Sequence, residues 1–317
     1  MYLGTMVRHL EMILARLLSL QSLQFCASGS VECPKHVAVP AIASMLFNAA
    51  LPFRLTHFEC SMSMLRHMAP FLRKQDTIER LATVTHWCDD ELALSRALAQ
   101  VQHLSVPALP HLKHCKGSPL FVQTIARGRD LRSAIFVRNR SVQGRWILPN
   151  SYQSAPLTRV DSLGITEPRA VPELLPHLIS SEYGVSITSI KHLALRTCHI
   201  SSFQPAMLRD FPQLRSFEYT EELLSSWRHN TFLDPNFITQ FERNSPTLRR
   251  LTMMDYLRTI EFTRKDSLDP IVIDETWETA MWGGVGEMLP IHCDIQVPEG
   301  SCWRVRTSVN RLADMII

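Results

Sequence analysis

An α/β solenoid, in which short parallel strands are each backed by a helix, is the fold class this sequence predicts. Three observations predict it. A short apolar pattern, Φ-x-x-Φ-x-Φ with Φ apolar, occurs nine times along the chain. A Pro-x-Leu phrase stands ahead of several of the copies, and helix-start signals fall between them. The composition allows a packed core: of 317 residues, 45% are apolar and 20% charged, which also argues against wholesale disorder.

In chain order, residues 3–18 supply an apolar helix ahead of the first copy, Leu20/Leu23/Phe25. The pattern then recurs at Leu55/Phe58/Cys60, Ile78/Leu81/Thr83, Leu112/Cys115/Gly117, Leu131/Ala134/Phe136, Val160/Leu163/Ile165, Ile190/Leu193/Leu195, Leu214/Phe217/Tyr219 and Leu248/Leu251/Met253. First members lie 19 to 35 residues apart and average 28.5 (228 residues in eight steps). A single match is weak, because at this apolar content three apolar positions coincide by chance in about 9% of windows. Thr83 and Gly117 are poor third members.

The punctuation strengthens the reading. Pro110-His111-Leu112, Pro212-Gln213-Leu214 and Pro246-Thr247-Leu248 share one phrase, with Pro52 and Pro156 close to the same place. Proline fixes φ and stops a preceding helix, so each marks a handover from helix to strand. Between strands, Met64, Leu65, Met68, Phe71 and Leu72 have helical spacing. Asp89-Asp90-Glu91 opens a second segment carrying Leu92, Leu94 and Leu98. Ser118-Pro119 with Leu120, Phe121 and Ile125, and Asp234-Pro235 with Phe237, Ile238 and Phe241, each read as an N-cap, a proline at the first helical position and an apolar stripe. Leu174, Leu175, Leu178 and Ile179 make a further helix.

One strand and one helix per repeat of this length is the arrangement of leucine-rich repeats. A single unit cannot bury both its faces, and stacking joins the strands into a parallel sheet with helices behind it. The prediction is a leucine-rich-repeat-like solenoid, a horseshoe with parallel strands on the concave face and helices on the convex face. It runs over residues 1–262, with 263–317 as a C-terminal cap. Leu257, Ile260 and Phe262 read as a last strand, and Trp277, Trp282 and Trp303 as cap residues covering the apolar end of the stack.

The run from Leu51 to Leu81, with Ala108-Leu109-Pro110-His111-Leu112, Pro246-Thr247-Leu248-Arg249-Arg250-Leu251 and Leu257-Arg258-Thr259-Ile260-Glu261-Phe262 followed by Trp277, resembles the degenerate repeats of fungal F-box/leucine-rich-repeat proteins. The resemblance covers roughly residues 15–305 in pattern. It implies a repeat region that binds a protein to be ubiquitinated, while an F-box holds the Skp1 adaptor of the ligase. Residues 1–50 do not supply the Leu-Pro-x-Glu opening of an F-box, and Val171-Pro172-Glu173-Leu174-Leu175 reads as a repeat helix. The Skp1 adaptor is therefore expected as a partner only if an F-box lies upstream of this chain.

In each copy the apolar members point into the core and the x positions point outward, since strand side chains alternate. The candidate protein-binding residues are His57, Glu59, Arg80, Lys113, His114, Lys116, Arg132, Lys191, His192, Arg215, Glu218, Arg249 and Arg250. With Thr56, Glu79 and Asp161, these outward places hold eight Lys or Arg against four Asp or Glu, and three histidines. Such a surface suits an acidic or phosphorylated partner segment through charge-assisted hydrogen bonds.

Other classes are disfavoured. A net charge of +3 is no polybasic nucleic-acid arm. Eight cysteines scattered through a long chain are no disulfide framework. Arg8, Glu11 and Arg16 interrupt any signal-peptide apolar stretch. The longest uncharged run, residues 37–53, has 17 residues and includes prolines, against about 20 needed to span a bilayer. A cytoplasmic or nuclear protein without membrane or nucleic-acid contact is expected. His111-x-x-His114-Cys115 with Cys88 could be drawn as a zinc site or a Cys-His nucleophile pair, but Cys115 falls inward and His114 outward. Cys26, Cys33 and His36 have loose ligand spacing in a loop with no fourth candidate. Gly283-Gly284-Val285-Gly286 lacks a phosphate loop's lysine, and Asp89-Asp90 reads as helix capping. No cofactor, metal or catalytic residue is expected. The alternatives are a repeat scaffold unrelated to ubiquitin and, from another class, a small α/β hydrolase using His114 and a cysteine.

Overall fold

The structure, a computed structural model, describes residues 2–25, 35–49, 51–84, 108–137, 157, 159–166, 187–197, 205–221, 235–254, 258–265, 288–290 and 302–310. Two compact units divide the chain, Met1–Arg132 with Val137–Pro156 and Ser133–Phe136 with Leu157–Ile317. Both are α/β, and their sheets are mostly parallel.

The first unit contains, in order, α1 (Tyr2–Leu14), β1 (Ser22–Phe25), α2 (Lys35–Asn48), β2 (His57–Ser61), α3 (Met62–Lys74), β3 (Arg80–Val84), β4 (His114–Gly117) and α4 (Pro119–Ala126). Its strands pair β1-β2-β3-β4, all parallel. Parallel neighbours need a crossover between them, and α2, α3 and the intervening chain supply it. The second unit contains β5 (Ser133–Phe136), β6 (Ser162–Ile165), a 3₁₀ turn (Ile187–Ser189), β7 (His192–Thr197), a longer 3₁₀ segment (Pro205–Asp210), β8 (Ser216–Glu221), α5 (Pro235–Asn244), β9 (Arg250–Met254), β10 (Arg258–Arg264), β11 (Met288–Pro290) and β12 (Trp303–Asn310). Here β5 to β9 are parallel neighbours in order.

The nine strands β1 to β9 fall where the nine apolar patterns lie, and the register aligns them member for member. Leu23, Phe58, Leu81 and Cys115 form one row in the first unit, and Ala134, Leu163, Leu193, Phe217 and Leu251 form the same row in the second. From Phe58 onward every member of these rows is at most 2% exposed. In each unit a strand phenylalanine meets a helix phenylalanine: Phe58 lies 5.6 Å from Phe71 of α3, and Phe217 lies 5.7 Å from Phe241 of α5, centroid to centroid. Such pairs contribute about 0.5–1.5 kcal/mol beyond the area they bury.

The handover into each strand is a turn with an added hydrogen-bond ladder. Leu112, Leu214 and Leu248 donate N–H to the carbonyls of Leu109, Phe211 and Ser245, at 3.2, 3.1 and 3.0 Å. Pro110, Pro212 and Pro246 are thus second in a four-residue turn, the place whose φ proline already has. Just after it, one carbonyl accepts two N–H groups of the next repeat: Thr56 O from Glu79 and Arg80, Glu79 O from Lys113 and His114, Lys191 O from Arg215 and Ser216, Arg215 O from Arg249 and Arg250. A hydroxyl just ahead of the strand braces three joints. Thr77, Ser189 and Thr247 donate to the carbonyls of Leu55, Val160 and Leu214 at 2.7, 2.7 and 2.8 Å.

Of the N-caps read from the sequence, Ser118 is described, while Asp89 and Asp234 lie outside the described residues. Ser118 caps α4, its Oγ accepting from Phe121 N at 3.3 Å with Pro119 in the first turn, and Gly128 ends it with φ 71°. The segments at Asp89 and at Leu174 to Ile179, with Cys26, Cys33, Cys88, Trp277, Trp282 and Gly283 to Gly286, lie outside the described residues.

The uncharged run 37–53, read from sequence only as too short for a membrane span, contributes a helix, α2, which packs on α3. Two findings depart from the sequence reading. His36 sits in the first turn of α2 and not in a loop. Last, β10 is not another parallel strand: it pairs antiparallel with β9, and β12 antiparallel with β10. Only residues 255–257 separate β9 from β10, enough for a hairpin and far too few for a parallel crossover. The inward rows nevertheless continue, since Ile260 and Phe262, each 2% exposed, stand opposite Met253 and Leu251. β10 runs across residue 262, and Trp303 at the start of β12 is 1% exposed.

Candidate functional site

The thirteen candidate residues fall into two groups, one on each unit. In the first unit, register aligns His57, Arg80 and His114 in one outward row, with Glu59, Ala82 and Lys116 in the next. All except Ala82 are half-buried, so their charged ends stand on a surface and not in a core. Lys113 and Arg132 are exposed beside these rows, the Arg132 N–H donating to Lys113 O at 2.8 Å. Lys113 Nζ meets Glu79 Oε1 at 3.0 Å, an exposed pair worth about 0–1 kcal/mol.

Partial burial holds the His57 imidazole below its ordinary pKa. Glu59 pulls it back up, while Arg80 and Lys116 add to the lowering. His57 is therefore neutral at neutral pH, and it can accept as well as donate a hydrogen bond.

In the second unit the rows are Ser162, His192, Ser216 and Arg250, then Gly164, Ala194, Glu218 and Thr252. Arg250 Nε meets Glu261 Oε1 of β10 at 3.0 Å, a pair largely closed to water. His192 is lowered too, first by burial and then by Lys191, Arg215 and Arg250, with Asp161 opposing. Its Nδ1 is enclosed and makes no hydrogen bond among the described residues.

Glu218 is only 5% exposed, so it offers a partner little contact area. Ala194 and Thr252 beside it are equally closed, and Ser133 and Ile135 of β5 are buried as well. The signal was present in the sequence: the last outward position of these repeats reads Ile135, Gly164, Ala194, Glu218, Thr252, mostly small or apolar. Lys191, Arg215 and Arg249 keep their place on the outer side just ahead of the strands. Arg215 and Arg249 stand with Arg264 around an open cleft of about 430 Å³, floored by the turns at Pro212-Gln213 and Pro246-Thr247. Arg264 is the residue that sequence reasoning missed, because it arrives on an antiparallel strand.

Cys115 and His114 diverge. The thiol is 2% exposed and burial drives its pKa far above the ordinary value, against a smaller pull from Arg129, so it is a protonated core group. His111 is exposed, outside that core. Among the described residues no three His, Cys, Asp or Glu side chains are grouped as metal ligands, and no helix is long and apolar enough to cross a membrane. Compared with protein-family models and with curated proteins, the chain matches none.

The two histidines carry a pH prediction. Each has a folded pKa below its unfolded 6.5, so as pH falls below 6.5 the unfolded chain binds protons first and stability drops, levelling off below the folded pKa. Replacing both, H57Q/H192Q, should flatten the urea midpoint between about pH 7 and pH 5. An unchanged slope across that window would mean that neither imidazole is desolvated.

Proposed function

We propose that this chain is a non-catalytic protein-binding module and that it forms the target-recognition part of an F-box type ubiquitin ligase. In this reading the repeats build a leucine-rich-repeat-like horseshoe, strands on its concave face and helices on its convex face, in the cytoplasm or nucleus. The antiparallel strands and buried Trp303 then belong to the cap of the stack. The observation that carries protein binding is the outward row of the first unit. His57, Arg80 and His114 stand side by side on adjacent strands, with Lys116 one step along and apolar residues behind every one.

Regular, half-buried polar positions on a rigid sheet can fix donors in place and so select a partner segment. The surplus of cations favours an acidic or phosphorylated one. The ligase role is supported by the repeat resemblance, and the Skp1 adaptor belongs to it only through an F-box upstream of this chain.

Intact protein retrieved from its own cells should retain the Skp1 adaptor, and its bound target should be lost at least tenfold on the double reversal R80E/K116E. Both residues are partly exposed, so the variant should melt within a few degrees of the wild type. Failure to retain the adaptor rejects the ligase role and favours a repeat scaffold. Undiminished target binding by R80E/K116E rejects this face as the interface.

A further inference from the structure

The outer column of the second unit has a charge distribution unlike that of the first. Backbone hydrogen bonds of 2.8, 2.8, 2.8 and 2.9 Å join Asp161, Lys191, Arg215, Arg249 and Arg264 in that order, N–H of each to the carbonyl before it. Lateral neighbours of this kind stand about 4.8 Å apart across a sheet. Four cations therefore follow one another on adjacent strands, an arrangement that like-charge repulsion disfavours. Asp161, at the head, accepts from Ser162 Oγ at 2.9 Å. The matching column of the first unit is compensated internally, Lys113 meeting Glu79 at 3.0 Å.

Arg215 and Arg249 are exposed, and their side chains make neither a hydrogen bond nor an ion pair among the described residues. Arg264 is braced differently, Nη1 donating to Pro246 O at 2.9 Å. All three line the open cleft described above, and among the described residues no carboxylate does. Two adjacent guanidinium forks with a third entering from the next strand offer more donors than a planar carboxylate's two oxygens accept well. A tetrahedral phosphate monoester carries three free oxygens and nearly two charges at pH 7, which matches three forks. The cleft volume falls within the range of ligand sites and exceeds what a lone small anion fills.

We propose that Arg215, Arg249 and Arg264 form a phosphomonoester site and, resting on the protein-binding reading above, that the phosphate it takes is on a phosphorylated side chain of the bound partner segment. The site lies beside the row of His192 and Arg250, so a chain crossing the outward face of this unit could place one modified residue in the cleft.

The test uses the full chain with inorganic phosphate and with O-phosphoserine as probes, read by thermal shift and calorimetry against chloride at equal ionic strength. The expected result is a phosphate-specific rise in melting temperature. In R215Q/R249Q affinity should fall at least tenfold with the unliganded melt unchanged. R215K/R249K should recover only part of it, since an ammonium cannot fork. Equal responses to phosphate and chloride, or unaltered binding by R215Q/R249Q, would overturn the site. Partner capture that survives phosphatase treatment would overturn its assignment to a partner's phosphate. A phosphate response in a protein that captures no partner would instead sink the protein-binding reading and leave the anion site standing.

Discussion

Replacing Phe217 by alanine is expected to lower the free energy of unfolding by about 3–5 kcal/mol, a large share of the ~5–15 kcal/mol a domain commands. Phe217 is 0% exposed and stands between Leu193 and Leu251 of the flanking strands. Its ring lies 5.7 Å from that of Phe241 on α5 and 6.4 Å from Tyr219 on its own strand. Truncation therefore opens a cavity against three strands and a helix at once, and the sheet register prevents it from collapsing. Urea denaturation should show a lower midpoint with the slope kept. The exposed Arg215→Gln, two residues away, should stay within about 0.5 kcal/mol of the wild type. A Phe217→Ala shift below about 1 kcal/mol would contradict the assigned inward face.

Strand positions were legible because each apolar pattern encodes both a period and a direction. Leu55, Phe58 and Cys60 are all buried to 0%, while Thr56, His57 and Glu59 between them are not. The prolines at 110, 212 and 246 announced the turns for the same reason, their fixed φ being the one the turn requires. The antiparallel run of the last strand was not legible. Nothing in Leu257, Ile260 and Phe262 distinguishes a parallel from an antiparallel strand, and only the short connection to Met254 decides it. The site was half legible: a sequence pattern says which way His192 or Arg249 faces, but not that Glu218 is closed to water or that Arg264 arrives beside Arg249. The hydroxyl braces at Thr77, Ser189 and Thr247 were visible as a Ser or Thr just before an apolar residue, a pair too common to be read alone.

Thr83 and Gly117 were the weakest matches to the pattern, and the structure turns them into the second large prediction. Both occupy inward third positions, on β3 and β4. Thr83 is 0% exposed, and its hydroxyl donates to Lys116 O at 3.4 Å. A Cβ on Gly117 would run into the ring of Phe121 and the Thr83 hydroxyl. Phe121, in the first turn of α4 and 0% exposed, thus fills the slot that an apolar side chain at 117 would otherwise occupy. Glycine is there for close approach, at the usual entropic cost of glycine in a strand.

Gly117→Leu improves the apolar pattern on paper, yet it should destabilise by about 3 kcal/mol or more, and Gly117→Ala by about 1–3 kcal/mol, as overpacking does. Phe121→Ala alone should cost about 3–5 kcal/mol through its cavity. Combined, Gly117→Leu with Phe121→Ala should cost less than the two separately, with a coupling of about 0.5–3 kcal/mol, because leucine then enters space the ring has left. A Gly117→Leu variant as stable as the wild type, or strict additivity with Phe121→Ala, would show that the helix ring and the strand position do not share that space.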